Sequence, residues 1–473
     1  MSPTTRRFET LLAAATIGVY VLVVAGATAS IADAVEACST WPLCAGPFTL
    51  AHPALLIAVG HRVLAVVVGV LVAATAAIGI RRRVPIRVRS ALLAALVLFP
   101  VQVVLGAFVV TIGPTTPLRV AHLLVGLGIF SALVLALAWT LEREYGDRTE
   151  TGTAFDVVGD GPTDEPVVST DEPTADEPVV PTDEPFPLAD RVRAYVRLTK
   201  PRLMWLLCLV AAAAMTLAAG PALSPWTVAL TLGGGVLAIG ASGTFNHVLE
   251  RDVDRRMNRT SDRPLATHRI PARNAVTFGV VLTVASLALF GAVNLLAAAL
   301  GFVAIVFYSV VYTLLLKPNT VQNTVIGGFA GALPALIGWA AVTGSVGVPA
   351  LVLAGVIFLW TPAHFYNLAL AYRDDYARGG FPMMPVVRGE TETRKHIVWY
   401  LAATFVAAVT LAALTSLGWL YAATITLVGG VFLWAVLRLH RERTDGAAFR
   451  AFHASNAYLG ALLLAVIVDA LAV

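Results

Sequence analysis

The stretch WTVALTLGGGVLAIG (Trp226–Gly240) carries no charge, yet after five intervening residues the chain reads NHVLERDVDRRMNRTSDRP (Asn246–Pro264), with four carboxylates and five arginines. A greasy helix that ends in such density of charge is either a solvated helix end with internal Arg–Asp pairs or a ligand surface. Spacing separates the two. Asn246, Glu250 and Asp254 stand at i, i+4 and i+8, and each step of four drifts about 40° on a helix, so the three share one face within roughly an 80° arc. Asp252 falls on another face. A plain solvated end accounts for charge but not for an amide and two carboxylates in one stripe. Such a stripe suits Mg²⁺, which takes one or two protein carboxylates and fills its shell with phosphate oxygens and water.

The rest of the chain sets that stripe in a membrane. Of 473 residues, 58% are hydrophobic and 13% charged, a balance foreign to soluble domains. Thirteen apolar runs recur, each near the length that crosses ~30 Å of hydrocarbon. Four precede residue 146 and nine follow residue 190. The first, residues 10–33, is too long for a signal peptide and lacks a cleavage pattern, so it reads as a retained span. With the N-terminus inside, of the 33 basic residues only Arg62 and Arg119 fall outside the inner loops, as the positive-inside rule requires. The net charge of +4 is therefore a matter of topology, with no nucleic-acid partner. The reading is an all-α polytopic protein of the plasma membrane, with N-terminus and linker cytoplasmic and the C-terminus outside.

Residues 146–190 interrupt the pattern. Asp-Glu-Pro recurs four times there, ending at Pro166, Pro173, Pro178 and Pro185. Low hydrophobicity, dense negative charge and regular proline predict a disordered linker between a module at 1–145 and a second at 191–473. Cys38 and Cys44 lie together in the first outer loop, where a disulfide is permitted; two free surface thiols are the alternative.

A second polar site lies in HFYNLALAYRDDY (His364–Tyr376). Read as one helix, it places His364, Asn367 and Asp375 on one face, with Ala371 where a second carboxylate would stand and Asp374 as its neighbouring substitute. Cations flank both acidic stretches: Lys200, Arg202, Arg259, Arg263 and Lys317. Two acidic faces with basic clamps suit a magnesium diphosphate. Five motifs then carry a resemblance: LTKPR (198–202), Asn246–Pro264, YTLLLKPNTVQN (312–323), PAHFYNLALAYRDDY (362–376) and GGFPMMPVVRG (379–389). Residues 195–473 resemble the UbiA-type intramembrane prenyltransferases and, within them, the haem O synthases (protohaem IX farnesyltransferases). The resemblance implies a nine-helix bundle that uses Mg²⁺ to transfer a farnesyl group from farnesyl diphosphate to a vinyl group of haem B. On it, Asn246, Glu250, Asp254, Asp374 and Asp375 would hold metal and diphosphate, Lys200, Arg202, Arg259, Arg263 and Lys317 would grip phosphate, and His364 and Tyr312 would contact haem. Glu250 stands where that family usually carries Asp, and Ala371 leaves the second acidic pair incomplete.

The N-terminal module carries two intramembrane histidines, His61 and His122. Ionisable residues inside spans are functional candidates, and two histidines on separate helices of a four-helix bundle can ligate one haem. ACSTWPLCAGPF (37–48), GHRVLA (60–65) and QVVLGAFVVTIGPTTPLRVAHLLVG (102–126) resemble the haem A synthases, which usually hold two such units, and Ala58 replaces an acid that often precedes the first histidine. The resemblance implies haem binding and an association with haem A synthase or terminal oxidase assembly. The alternatives for the whole chain are a UbiA-type enzyme acting on a quinone precursor or lipid, and a membrane haem-binding or transport protein.

Overall fold

The computed structural model describes residues 3–31, 34–44, 53–146 and 187–472. Nearly all of the acidic Asp-Glu-Pro segment, residues 147–186, lies outside them. Before it come α1 (Pro3–Ile31), the short α2 (Ala34–Ala37), α3 (Pro53–Arg81), α4 (Ile86–Thr111) and α5 (Thr116–Gly146). After it come α6 (Leu188–Leu198), α7 (Pro201–Ala219), α8 (Pro225–Asp254), α9 (Ala272–Val293), α10 (Leu295–Val306), α11 (Asn323–Thr343), α12 (Val348–Ala371), the short α13 (Arg373–Arg378) and α14 (Met384–Val387), α15 (Gly389–Leu414), α16 (Trp419–Glu442) and α17 (Asp445–Ala472). Among the described residues, thirteen helices are long and apolar enough to cross a membrane, as the hydropathy pattern predicts. No strand occurs among them.

Short connections make sequence neighbours antiparallel, so alternate helix ends gather on one side of the bundle. The start of α7 and the ends of α8, the α10 rod and α12 therefore meet. Two of these ends are irregular for physical reasons. The α10 rod continues as π-helical turns over Phe307–Leu316, with the Lys317 N–H donating to Tyr312 O at 2.8 Å. Such turns are uncommon and concentrate at functional sites. α12 stops at Ala371, where Tyr372 adopts φ −116°, ψ 26°, and α13 restarts in a new direction.

Packing is tightest where small residues let backbones touch. A Cβ at Gly338 of α11 would lie 2.3 Å from the Ala211 carbonyl oxygen of α7, so no larger residue fits that crossing. The N-terminal helices are not a separate body. α1 and α5 pack on α15 and α16, and one apolar core runs through both. At its centre Tyr20 is 3% exposed, stacks on Phe405 with ring centroids 4.6 Å apart and donates its hydroxyl to Ile425 O at 3.0 Å.

Gly338→Ala is expected to destabilise the bundle by about 1–3 kcal/mol through overpacking. Thermal unfolding of the detergent-purified protein checks it against Gly355→Ala, where an added Cβ meets nothing within 4 Å and no change is expected.

Candidate active site

The final turns of α8 carry the predicted stripe inward. Asn246, Glu250 and Asp254 are 2%, 5% and 2% exposed, and α8 remains helical to Asp254. Burying carboxylates in a membrane protein is costly unless each is matched by charge and hydrogen bonds. Each oxygen group has its own cation from a different element. Arg263, in the loop after α8, donates to both Asp254 oxygens at 2.8 Å. Lys317, at the end of the π-turns, donates to Glu250 Oε1 at 2.5 Å. Lys200, just before α7, donates to Asn246 Oδ1 and to the Tyr308 hydroxyl at 3.3 Å. Burial, aided by the nearby Arg263 charge, pushes the Lys200 ammonium down to about 7. An anion bound beside it would reverse that shift.

The second acidic stretch reaches the same end of the bundle but does a different job. Asp375 Oδ1 accepts the Asn258 N–H at 2.8 Å and the Arg378 guanidinium at 2.8 Å; its Oδ2 accepts the Arg259 N–H at 3.4 Å. Burial alone would raise its carboxyl, but these hydrogen bonds outweigh it and hold the group below the usual carboxylate range. Asp375 thus fastens the loop that carries Arg259 and Arg263. Arg259 lies over the rings of Tyr372 and Tyr376, at 4.9 and 5.1 Å, and donates to the Tyr376 hydroxyl at 3.1 Å. Burial disfavours its charge, yet these partners raise its pKa. Lys317 Nζ sits 4.3 Å above the Phe381 ring.

Three expected members are not brought in. Asp374 is 76% exposed and pairs with Arg373 at 3.1 Å, because α13 turns it to the outside. His364 is stacked between Trp360 and Phe452, with centroids at 4.2 and 4.4 Å, and its Nδ1 lies 2.6 Å from Ser455 Oγ. It is a core histidine between α12 and α17, and the break at Tyr372 separates its face from that of Asp375. Arg202 is exposed at the start of α7. Asn367 is buried, donating to Ala363 O at 2.6 Å. Tyr312 stands beside Tyr308, ring centroids 5.5 Å apart.

Residues that sequence reasoning passed over complete the site. Asn246 Nδ2 donates to Thr313 Oγ1 at 3.1 Å, and Thr313 in turn donates to Tyr308 O at 2.8 Å, a five-residue step that only the π-turns permit. Behind Lys200 and Tyr308 opens an apolar cleft between α7, α8, α9, α11 and the α10 rod, with Leu207, Cys208, Gly235, Ala238 and Ile337 among its walls. Lys200 and Tyr308 belong to both the ion cluster and the cleft, so a charged head and an apolar tail can be held end to end.

Among the described residues, no three His, Cys, Asp or Glu side chains group to hold a metal by themselves. Two carboxylates and an amide amid three cations instead fit a metal that arrives with an anionic partner, since Mg²⁺ would take the oxygens while the partner takes the cations. At the far module, His61 lies against Gly26 and His122 against Gly106. The Nδ1 of each is buried without a hydrogen-bond partner, and His122 Nε2 is 3.2 Å from Gln102 Nε2. Cys38 and Cys44 form a disulfide in the loop after α2, and Arg62 donates to Cys38 O at 3.1 Å.

A model of the UbiA prenyltransferase family matches residues 206–460, and a model of the cytochrome oxidase assembly proteins matches residues 1–134. A protoheme IX farnesyltransferase of Haloarcula marismortui is 62% identical over 99% of this chain and 99% of its own. Protoheme IX farnesyltransferase 1 of Natronomonas pharaonis is 61% identical over 99% of this chain and 100% of its own. In fold, a digeranylgeranylglyceryl phosphate synthase structure superposes on 60% of this chain and all of its own, with a TM-score of 0.51 at 16% identity.

Asp375→Ala should release the loop and lower kcat/KM for prenyl transfer at least tenfold while leaving the protein folded, as steady-state kinetics and size-exclusion profiles would register. The sign of the pH effect is fixed: a carboxyl held below its unfolded pKa contributes fully above that ordinary value. The contribution of Asp375 is lost only as pH falls through its lowered folded value.

Proposed function

We infer the chemistry of this site from its kinship: the chain belongs to the UbiA prenyltransferase family, and its full-length relatives are protoheme IX farnesyltransferases. The enzyme converts haem B to haem O by transferring a farnesyl group from farnesyl diphosphate to a haem vinyl group. The allylic C–O bond of the diphosphate breaks, and a C–C bond forms to the vinyl carbon. Water then adds to the resulting cation and loses a proton, giving the hydroxyethylfarnesyl side chain.

The observation that supports this reading best is the shared wall: Lys200 and Tyr308 join a buried ion cluster to an apolar cleft. In our reading Lys200, Arg263 and Lys317 take the diphosphate oxygens, with Arg259 at their rim, and so stabilise negative charge on the leaving group. Asn246, Glu250 and Asp254 would hold Mg²⁺, which when bound neutralises part of that charge. Every buried ion would stay matched, since Glu250 and Asp254 would face the metal while Lys200, Arg263 and Lys317 face phosphate oxygens. The cleft takes the farnesyl chain and excludes water from the allylic carbon, which a carbocation requires. The ring of Tyr308 faces that junction, where an aromatic face favours positive charge.

We further propose that the chain divides into modules at 1–145 and 191–473 joined by residues 146–190. In this reading it sits in the plasma membrane with its N-terminus and diphosphate site cytoplasmic and its C-terminus outside, an orientation that the placement of the basic residues supports. His61 and His122 would hold a haem in the first module, since buried nitrogens without partners are satisfied by a metal. The module would then serve transfer of product to haem A synthase.

Asp254→Ala is expected to lower farnesyl transfer at least ~100-fold while the protein still inserts and purifies normally; haem O formation followed by mass spectrometry is the measurement, and full activity would remove the diphosphate assignment. His61→Ala should abolish the low-spin haem absorbance of the purified full chain while haem O production persists. An unchanged spectrum would remove His61 as a ligand.

A further inference from the structure

The cleft behind Lys200 has a floor, and we propose that this floor, Phe290, sets the length of prenyl chain the enzyme accepts. The proposal rests on the reading above that the cleft holds the prenyl tail. Along α8 the cleft runs from Gly243, beside Lys200, to Thr231. The Phe290 ring stands against Gly234, and the nine residues from Gly243 to Gly234 span about 14 Å at 1.5 Å per residue, close to the reach of the three isoprene units of an extended farnesyl chain.

Phe290 lines the far end of the cleft and is 0% exposed. Two glycines seat its ring. A Cβ on Gly234 of α8 would lie 2.9 Å from it, and one on Gly301 of α10 would lie 2.5 Å from it. The ring is thus wedged between two backbones, which do not yield as a flexible side chain would. Ala238, Ala297, Ile305, Ile337 and Ala341 close the cluster around it. Four residues on, Asn294 ties the floor to its neighbours: its Oδ1 accepts the Ala297 N–H at 2.8 Å and its Nδ2 donates to Ala340 O at 2.8 Å. A fourth isoprene unit would have to displace an aromatic ring held along both edges. A two-unit chain would leave apolar wall uncovered and bind less well.

One wall position offers the reciprocal change. Gly235 lines the cleft, and an added Cβ there meets nothing within 4 Å. A leucine at this position would occupy the deep half of the cleft, and it also favours the helix more than glycine does.

The test measures prenyl transfer to protohaem by the detergent-purified full chain, supplied in turn with geranyl, farnesyl and geranylgeranyl diphosphate. Wild type should prefer farnesyl. Phe290→Ala should raise the geranylgeranyl-to-farnesyl ratio of kcat/KM roughly tenfold or more, the discrimination typical of a filled or emptied apolar pocket. Gly235→Leu should raise the geranyl-to-farnesyl ratio by a similar factor. If Phe290→Ala does not fold, Phe290→Leu takes its place beside Gly235→Leu. Ratios within twofold of wild type in the folded variants overturn the proposal while farnesyl transfer itself stands. A wild type that transfers no prenyl group to protohaem refutes instead the functional reading on which the proposal rests.

Discussion

Charge pairing in a poor solvent is the constraint from which the rest of this structure follows. Asp254 and Glu250 are buried among membrane-spanning helices, where an unmatched carboxylate is far too costly to persist. Arg263, Lys317 and Lys200 answer them and Asn246, and each comes from a different element. Satisfying the stripe therefore fixes the loop after α8, the end of the π-turns and the start of α7 against one another. The same pairs that stabilise the resting protein are exchangeable. A ligand that carries both a cation and oxygen anions can enter without leaving any of them bare.

The apolar cleft is the complement of that cluster. Small residues of α7, α8 and α11 leave a space whose walls are mostly apolar, with its charge confined to the mouth at Lys200. A reaction that separates charge at the mouth and shelters a cation just inside needs this gradient from polar to dry over a few ångströms. Asp375 contributes at one remove, by fastening the loop that supplies Arg259 and Arg263.

What the sequence disclosed depended on how far a single helix extended. The spans were legible because lipid imposes length and hydropathy on each of them. Asn246, Glu250 and Asp254 were legible because α8 carries all three in unbroken register. The same periodicity failed over His364–Asp375, since α12 ends at Ala371 and the chain changes direction at Tyr372. His364 consequently faces Ser455 in the core, and Asp374 faces outward. Tyr308 and Thr313 gave no signal, because a hydroxyl reaches the carbonyl five residues back only where the turns widen, and the apolar run does not announce such turns. Arg202 belongs to a basic motif, but the motif does not tell which of its two cations turns inward, and the inward one is Lys200. The cleft and its floor arise from residues on five helices, a juxtaposition that no local pattern contains.

The Tyr20 contact changes how the fusion is to be understood. A tether raises the encounter rate of two bodies that otherwise drift, but here an aromatic stack and a hydrogen bond to Ile425 lie inside a core common to α1, α5, α15 and α16. Mutual recognition is thus inscribed in the packed surfaces, and the peptide link between the halves becomes a matter of stoichiometry rather than of architecture. Two polypeptides made separately would carry the same information for finding each other, and joining them in one chain guarantees chiefly that they are synthesised one to one.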